Sequence, residues 1–337
     1  MDLSQIPLLT TAIAICIAWA LFALFCSYLH EAVAQLIAER GRFLKTSLFK
    51  QLLDSPNGVN WAQMVYQHGS IDLLTRDEKK PTSEISPELF AKTLIEVTGS
   101  AHLVQMNAPT LGNQRFYKSD LLNNFVIATK VLQPSDVTSM FKQCLADAEV
   151  RATVNDAVDE AKLYDLLVAN TQNWYNQLMG RISLWYKKST RKRLFILGAL
   201  LAAILNVDSI QLFEQFSSNE SARNAVISYY AKNKTDLENK AAIFKNDSTA
   251  RKTDTTVKRQ LAAINDSLKN LSKQANLPIG IANNLYSSVK ADIGKPNPVI
   301  NIISKIIGIL ISGFAASFGA PFWFDLLKKV YTPKSNS

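Results

Sequence analysis

The chain closes on a segment, Val299 to Val330, whose long apolar run is broken only by Lys305 and which carries small residues at every fourth position: Gly308, Ser312, Ala316 and Ala320. About 20 consecutive apolar residues cross the hydrocarbon core of a bilayer. Small side chains at four-residue spacing let a second helix approach closely. The segment ends in Gly319-Ala320-Pro321-Phe322-Trp323-Phe324-Asp325, followed by Lys328 and Lys329. It predicts an integral membrane protein whose last helix packs against protein.

Two further runs compete for the membrane. Leu8 to Leu29 is uncharged and, at about 22 residues, a full span. Leu194 to Val207 is about 14 residues, short unless the helix ends snorkel or the bilayer thins; Gly198 and Ala202 give it a small-residue pair of its own. Flanking charge decides, because cytoplasmic loops collect Lys and Arg. Asp2 precedes the first run and Arg40, Arg42, Lys45 and Lys50 follow it, while Lys328, Lys329 and Lys334 follow the last. Both trailing ends then belong in the cytoplasm, which two crossings cannot deliver. The middle run supplies the third, with Lys187, Lys188, Arg191, Lys192 and Arg193 before it and Asp208 after it.

The expected fold is therefore all-α, with transmembrane helices at 8–29, 194–207 and 299–327. A cytoplasmic helical domain occupies 30–193, an extracytoplasmic helical hairpin 208–298 and a cytoplasmic tail 328–337. The N-terminus is out and the C-terminus in.

The net charge of +9 raises nucleic acid as a partner. The lysines are spread along the chain, however, and the tightest basic cluster abuts an apolar run, where it reads as a topology signal or a contact with anionic lipid. No nucleic-acid partner is expected. Cys16, Cys26 and Cys144 form no disulfide framework. The absence of Lys or Arg before Cys26, and Phe25 beside it, argue against a lipoprotein or cleaved leader, so the first run is an uncleaved anchor. All the Asn-x-Ser/Thr triplets, at Asn219, Asn233, Asn246, Asn265 and Asn270, fall in the outer segment. Asp-Ser/Thr triplets at Asp208, Asp247, Asp254 and Asp266 resemble the O-glycosylation triplet of Bacteroidetes bacteria, but an Asn- and Ser-rich segment generates both kinds by chance.

The soluble parts read as helices. Leu29, Val33, Leu36, Ile37, Leu44, Leu48 and Leu52 continue the stripe of the first span until Asp54-Ser55-Pro56-Asn57-Gly58, where every position has turn chemistry. Ser86-Pro87-Glu88 carries a cap, a proline at the first helical position and an acid in the first turn. Further helices are expected at Ser119–Leu132 and Ser135–Glu149, with a long one from about Thr153 toward the middle span. In the outer segment Val257, Leu261, Ile264, Leu268 and Leu271 alternate by four and three as a coiled-coil seam. Val226, Tyr230, Leu237, Ala241 and Phe244 form a weaker matching stripe. An antiparallel hairpin standing off the membrane satisfies both, and an intermolecular coiled coil is the alternative.

No catalytic signature emerges. His30-Glu31-Ala32-Val33-Ala34 opens like a zinc-protease helix but has Ala34 where the second histidine must stand. His30, His68 and His102 are the only histidines, the cysteines lack paired metal spacing, and there is no phosphate-cradling glycine loop or nucleophile elbow. The chain is expected to be no enzyme and to carry no cofactor or metal. The remaining candidates are membrane-border charges, costly there unless paired: Glu31, Asp208, Asp325, Arg181, Arg191 and Arg193. A structural salt bridge from Asp325 to Arg181 or Arg191 is expected, with Lys305 snorkelling to the outer border and Trp323 and its neighbours in an interfacial belt.

Several pieces together resemble a family of bacterial inner-membrane proteins. They are an N-terminal anchor running into Glu31 and then Arg40; Trp174-Tyr175 through Met179-Gly180-Arg181 to Trp185-Tyr186; Asn206-Val207-Asp208-Ser209; Leu277-Pro278; and the Gly319–Asp325 heptapeptide. The family pattern has Trp where this chain has Ile281. The resemblance implies a bacterial inner membrane and a multi-span anchor, and it brings no activity. The expected role is a membrane anchor or scaffold subunit whose partners are the lipid bilayer, a second protein and further copies of the chain. The alternative is an oligomeric pore-forming or membrane-perturbing effector.

Overall fold

The computed structural model describes residues 7–75, 79–111, 114–155, 157–245, 254–277, 279–280, 285–293 and 296–331. Asp2, Asn246, Asp247, Pro278, Ile281 and Lys334, all used above, lie outside the described residues. Helix makes up 82% of the structure, and the strands among the described residues are two-residue pairs, so the cores are built by helix packing alone. The chain divides into two units, Leu36–Tyr186 and Met1–Gln35 with Lys187–Ser337. The first is the helical unit below, the second the apolar unit.

Helix α1 (Pro7–Leu36) opens the apolar unit. The helical unit then comprises α2 (Glu39–Gln51), α3 (Trp61–Gln67), α4 (Gly69–Asp72), α5 (Pro87–Ser100), α6 (His102–Asn107), α7 (Asp120–Val131), α8 (Asp136–Ala152) and the first part of α9 (Glu160–Leu205). Local chemistry sets the ends. The Ser86 hydroxyl accepts the Leu89 amide at 3.3 Å, with Pro87 at the first helical position, satisfying an otherwise orphaned donor. At α8, Ser135 and Thr138 cap each other reciprocally, as a capping box does. The Asp54–Gly58 turn closes on Gly58, at φ 64°, and the buried Asp54 carboxylate accepts the Trp61 indole N–H at 3.0 Å.

The core of this unit is aromatic. Trp61 and Phe125 both meet Phe141 edge-on. Phe90 stacks on Tyr175 at 4.0 Å, and the Tyr175 hydroxyl donates to Ile85 O at 3.2 Å. The long helix starts seven residues later than the sequence suggests. Thr153–Val154 pairs with Ala157–Val158 around Asn155, whose φ of 49° is left-handed, and the β-branched Thr153 and Val154 favour that turn over a helical one. From Glu160, α9 runs 46 residues without a break to Leu205.

The apolar unit adds α10 (Ser209–Ser218), α11 (Glu220–Ala242), α12 (Asp254–Gln274), α13 (Leu285–Ile293), α14 (Pro298–Ser317) and α15 (Ala320–Tyr331). Two helices, α1 and α14, are long and apolar enough to cross a membrane, and α9 with α10 makes a third if that pair, bent by 57°, is one span. The expected single helix over 299–327 is two. Gly319 takes φ 77°, and Pro321, lacking an N–H and clashing with the carbonyl four residues back, cannot sit inside a continuous helix. The middle run ends two residues early, at Leu205, because Asn206 is left-handed at φ 53°.

The largest departure concerns α1. No residue from Ile13 to Ala32 is exposed. The helix is apolar around its whole circumference, as a helix buried on most sides must be, and its side chains join the apolar unit's core. Nor does the α11–α12 hairpin stand away from it. Phe216 O, just before α11, accepts from the Thr11 hydroxyl, while Lys240 O near its end accepts from Tyr28, both at 3.3 Å. Thr11 and Tyr28 are about 25 Å apart along α1, so α11 lies beside nearly the whole of it. Part of 208–298 therefore packs along α1 rather than standing away from it. The Val257, Ile264 and Leu271 side chains are buried in the same core, with Leu261 and Leu268 packed partly against it, so the seam faces its own unit.

Candidate functional site

The site is built where α9 gives way to α10, and the break creates its chemistry. The Val207 amide reaches back to Ala202 O at 2.8 Å, and the Leu205 carbonyl is taken by the Gly280 amide at 2.8 Å. Asp208 caps the new helix, its Oδ1 accepting the amides of Ile210 at 2.9 Å and Gln211 at 3.3 Å. Its other oxygen faces Lys305 Nζ at 3.7 Å, and both side chains are about 95% buried, at 5% and 6% exposure. Gly308, one turn along from Lys305, leaves the room: a Cβ there would overlap the Asp208 carboxylate. One residue on, Ser209 Oγ lies 2.7 Å from Ser312 Oγ and accepts the Trp19 indole N–H at 3.0 Å, while Ser312 also donates to Gly308 O at 3.1 Å. A charge pair and a hydroxyl pair, drawn from α1, α10 and α14, thus satisfy one another inside an apolar bundle. That is the condition under which buried polar groups are tolerated.

The small residues make the contact possible. Gly308 and Ser312 face the α9–α10 elbow, and Ala316 faces Gly198 further back on α9. A Cβ on Gly198 would stand 2.7 Å from Ala316 Cβ, and one on Gly313 would stand 2.9 Å from Ala199 Cβ. So α9 and α14 cross almost backbone to backbone, as small-residue faces permit. Ala202 is fully buried on the same helix, and Ala320 is buried at the start of α15.

The border charges distribute differently from expectation. Asp325 pairs with Lys245, not with Arg181 or Arg191: Lys245 Nζ lies 2.9 Å from Asp325 Oδ2, and Lys328 lies 3.3 Å from Glu238 beside it. Both are contacts between α15 and the α11 end of the hairpin. Glu31 is buried and accepts from Gln35 Nε2 at 3.1 Å. Arg191 is exposed and Arg193 half-buried in the apolar unit, and Arg181 is exposed in the helical unit. Lys305 does not snorkel; it is held inside by Asp208. Trp323 is buried rather than interfacial. Its indole donates to Ala315 O at 2.7 Å, closing the α14–α15 turn, and its ring lies 4.9 Å from that of Trp19.

The Ser209, Trp19 and Gly313 contributions escaped the sequence reading. A serine directly after the Asn-Val-Asp break and the Gly313 beside Ser312 were the available signals.

The apolar surface of this unit lies elsewhere than on its most apolar helix. On α9, Ile196, Leu200 and Ile204 are more than half exposed at every fourth position, and Ile303 and Phe314 on α14 are exposed to the same degree. With known proteins the chain shares no match: no family model, no curated protein and no solved structure is similar to it.

Proposed function

We propose that the chain is a non-catalytic membrane anchor or scaffold subunit, holding its helical unit and a protein partner at the bacterial inner membrane. The observation that carries this reading is that the chain joins a helical unit with a core of its own, built around Trp61, Phe90 and Tyr175, to a unit holding two helices long and apolar enough to cross a membrane. A soluble-type helical core on the same chain as apolar spans suits a subunit that anchors rather than one that turns over substrate. The Asp208–Lys305 and Ser209–Ser312 pairs support the same role, since each buried polar group is matched by another inside the bundle. The resemblance of the Asn206–Ser209 and Gly319–Asp325 segments to a bacterial inner-membrane family supports the compartment.

The second reading, an oligomeric pore, draws on the polar α11–α12 hairpin lying beside α1. In a crossing bundle that hairpin would need water or polar neighbours. Extraction in mild detergent, followed by native mass measurement and identification of every co-purifying chain, separates the two. A stoichiometric partner is expected. A homogeneous ring of this chain alone that conducts ions would overturn the anchor in favour of the pore.

A further inference from the structure

Arg223 is a buried charge of the apolar unit, 7% exposed, in the first turns of α11. Its side chain makes one hydrogen bond, from Nη1 to Phe216 O at 2.7 Å, and no salt bridge among the described residues. Its Nε is buried and has no hydrogen-bond partner among them. The same Phe216 carbonyl accepts the Thr11 hydroxyl at 3.3 Å, so the guanidinium lies beside the start of α1, where Thr11 follows Pro7 by about 6 Å along the axis. An arginine keeps its charge inside a protein and carries five N–H donors. A buried charge is costly unless it is paired and hydrogen-bonded. The neighbouring helix ends do not supply the pairing. A helix C-terminus offers about half a negative charge and an N-terminus about half a positive one. Asn219 both ends α10 and caps α11, so the two partial charges meet there and offset each other. Glu220, the closest acid along the chain, is exposed and accepts Asn224 Nδ2 at 3.5 Å.

We propose that Arg223 and the first turn of α11 bind a phosphate group. Side chains on a helix lean toward its N-terminus, and the reach of Arg223 back to Phe216 O follows that lean. It brings the guanidinium to the turn whose first amides, of Glu220 and Ser221, have no partner within the helix. The next amide, of Ala222, is taken by Asn219 Oδ1 at 3.0 Å. Both groups suit an oxyanion: amides at a helix start converge on negative charge, and a guanidinium fork matches the oxygens of phosphate. A phospholipid headgroup and free phosphate share this chemistry. The headgroup is the source favoured by position, because α1 is one of the helices long and apolar enough to cross a membrane, and Arg223 lies at its start. The lipid source rests on the membrane-anchor reading, whereas the phosphate site does not.

The test uses the full chain in a non-ionic detergent, with its thermal midpoint and its lipid retention by native mass spectrometry as readouts. The additives are dioleoyl phosphatidylglycerol, dioleoylglycerol with the same acyl chains and no phosphate, and inorganic phosphate. Phosphatidylglycerol is expected to raise the midpoint and to stay bound, and dioleoylglycerol to do neither. Arg223→Lys keeps a cation but loses the fork, so it should bind phosphatidylglycerol about tenfold more weakly. Its circular dichroism should match the parent's, and Arg223→Gln serves as a second variant should the lysine form fail that check. Inorganic phosphate matching the effect of the lipid, with no lipid retained, would keep the site and replace the headgroup by free phosphate. Dioleoylglycerol acting as well as phosphatidylglycerol, or both folded variants binding the lipid like the parent, would overturn the phosphate site. So would Asp2→Asn lowering the midpoint as far as Arg223→Gln does, since the countercharge would then be the chain's own carboxylate. These results leave the anchor reading standing. A chain found in the aqueous fraction of cells would instead overturn the anchor and the lipid source, with the inorganic phosphate arm still reporting on Arg223.

Discussion

Lys305 Nζ lies 3.7 Å from Asp208 Oδ2 across the elbow between α9 and α10, with both side chains about 95% buried, at 6% and 5% exposure. Desolvating two charges costs several kcal/mol, and the pair persists because Asp208 also accepts two backbone amides. Removing one partner strands the other charge, which costs about 3–5 kcal/mol in comparable buried pairs, whereas replacing both by apolar groups is often neutral. Lys305→Met should therefore lower the thermal midpoint of the detergent-solubilised chain sharply. The double variant with Asp208→Asn, which retains the helix cap, should recover much of that loss. A double variant no better than the single one would show that the two groups do not act on each other.

The α9–α14 crossing makes a second prediction. Gly198 and Ala316 meet so closely that an added Cβ on the glycine stands 2.7 Å from the alanine methyl. Ala316→Leu pushes three more carbons into that gap, and overpacking of this kind costs about 1–3 kcal/mol. Less folded protein should survive extraction, by size-exclusion profile, while Ile303→Leu on the exposed face behaves as the parent. Equal recovery of both variants would mean that the helices separate more easily than their contact suggests.

These two sites show what the sequence discloses and what it withholds. The cap at Ser86, the helix starts at Ser119 and Ser135 and the turn at Asp54–Gly58 were legible because each is local: a few adjacent residues contain the whole cause. The small-residue stripe Gly308–Ser312–Ala316 was legible as a packing face for the same reason. Its partner was not, because nothing in the α14 sequence names α9 and α10 of the same chain. Lys305 was misjudged since a lysine near a helix end reads as snorkelling, and only the fold brings Asp208 beneath it. The same holds for α1. Hydropathy measures how apolar a helix is, not whether lipid or protein surrounds it, and the most apolar helix proved to be enclosed while α14 and the end of α9 carry the exposed surface. The break at Gly319 could have been read from Pro321 two residues later.

Asp325 shows the opposite energetics from Asp208. Its partner Lys245 is 59% exposed and Asp325 itself 44%, so water screens the pair, and exposed ion pairs contribute about 0–1 kcal/mol. Asp325→Asn should move the thermal midpoint little and leave the chain's native mass unchanged. A loss of stability comparable to that of Lys305→Met would show that this end of α15 carries far more than the contact with Lys245.

The helical unit has a built-in alkaline limit. Burial, above all else, pushes the phenols of Tyr66, Tyr117 and Tyr175 above their ordinary value, with Glu149 accepting the Tyr117 proton at 2.6 Å as a further cause. A group whose folded pKa is raised contributes stability that is fully present below its unfolded pKa, near 10 for tyrosine. As pH rises past that point the unfolded chain ionises first, and the contribution is lost progressively until the folded phenols ionise as well. The urea midpoint of the full chain should thus hold steady near pH 8 and decline steeply by about pH 11. Tyr66 allows a clean control, because its hydroxyl is buried without a hydrogen-bond partner among the described residues. Tyr66→Phe removes a titrating group and a desolvated hydroxyl together, so it should leave stability at pH 8 equal or higher and make the alkaline decline shallower. A decline as steep in that variant as in the parent would place the alkaline sensitivity in other groups.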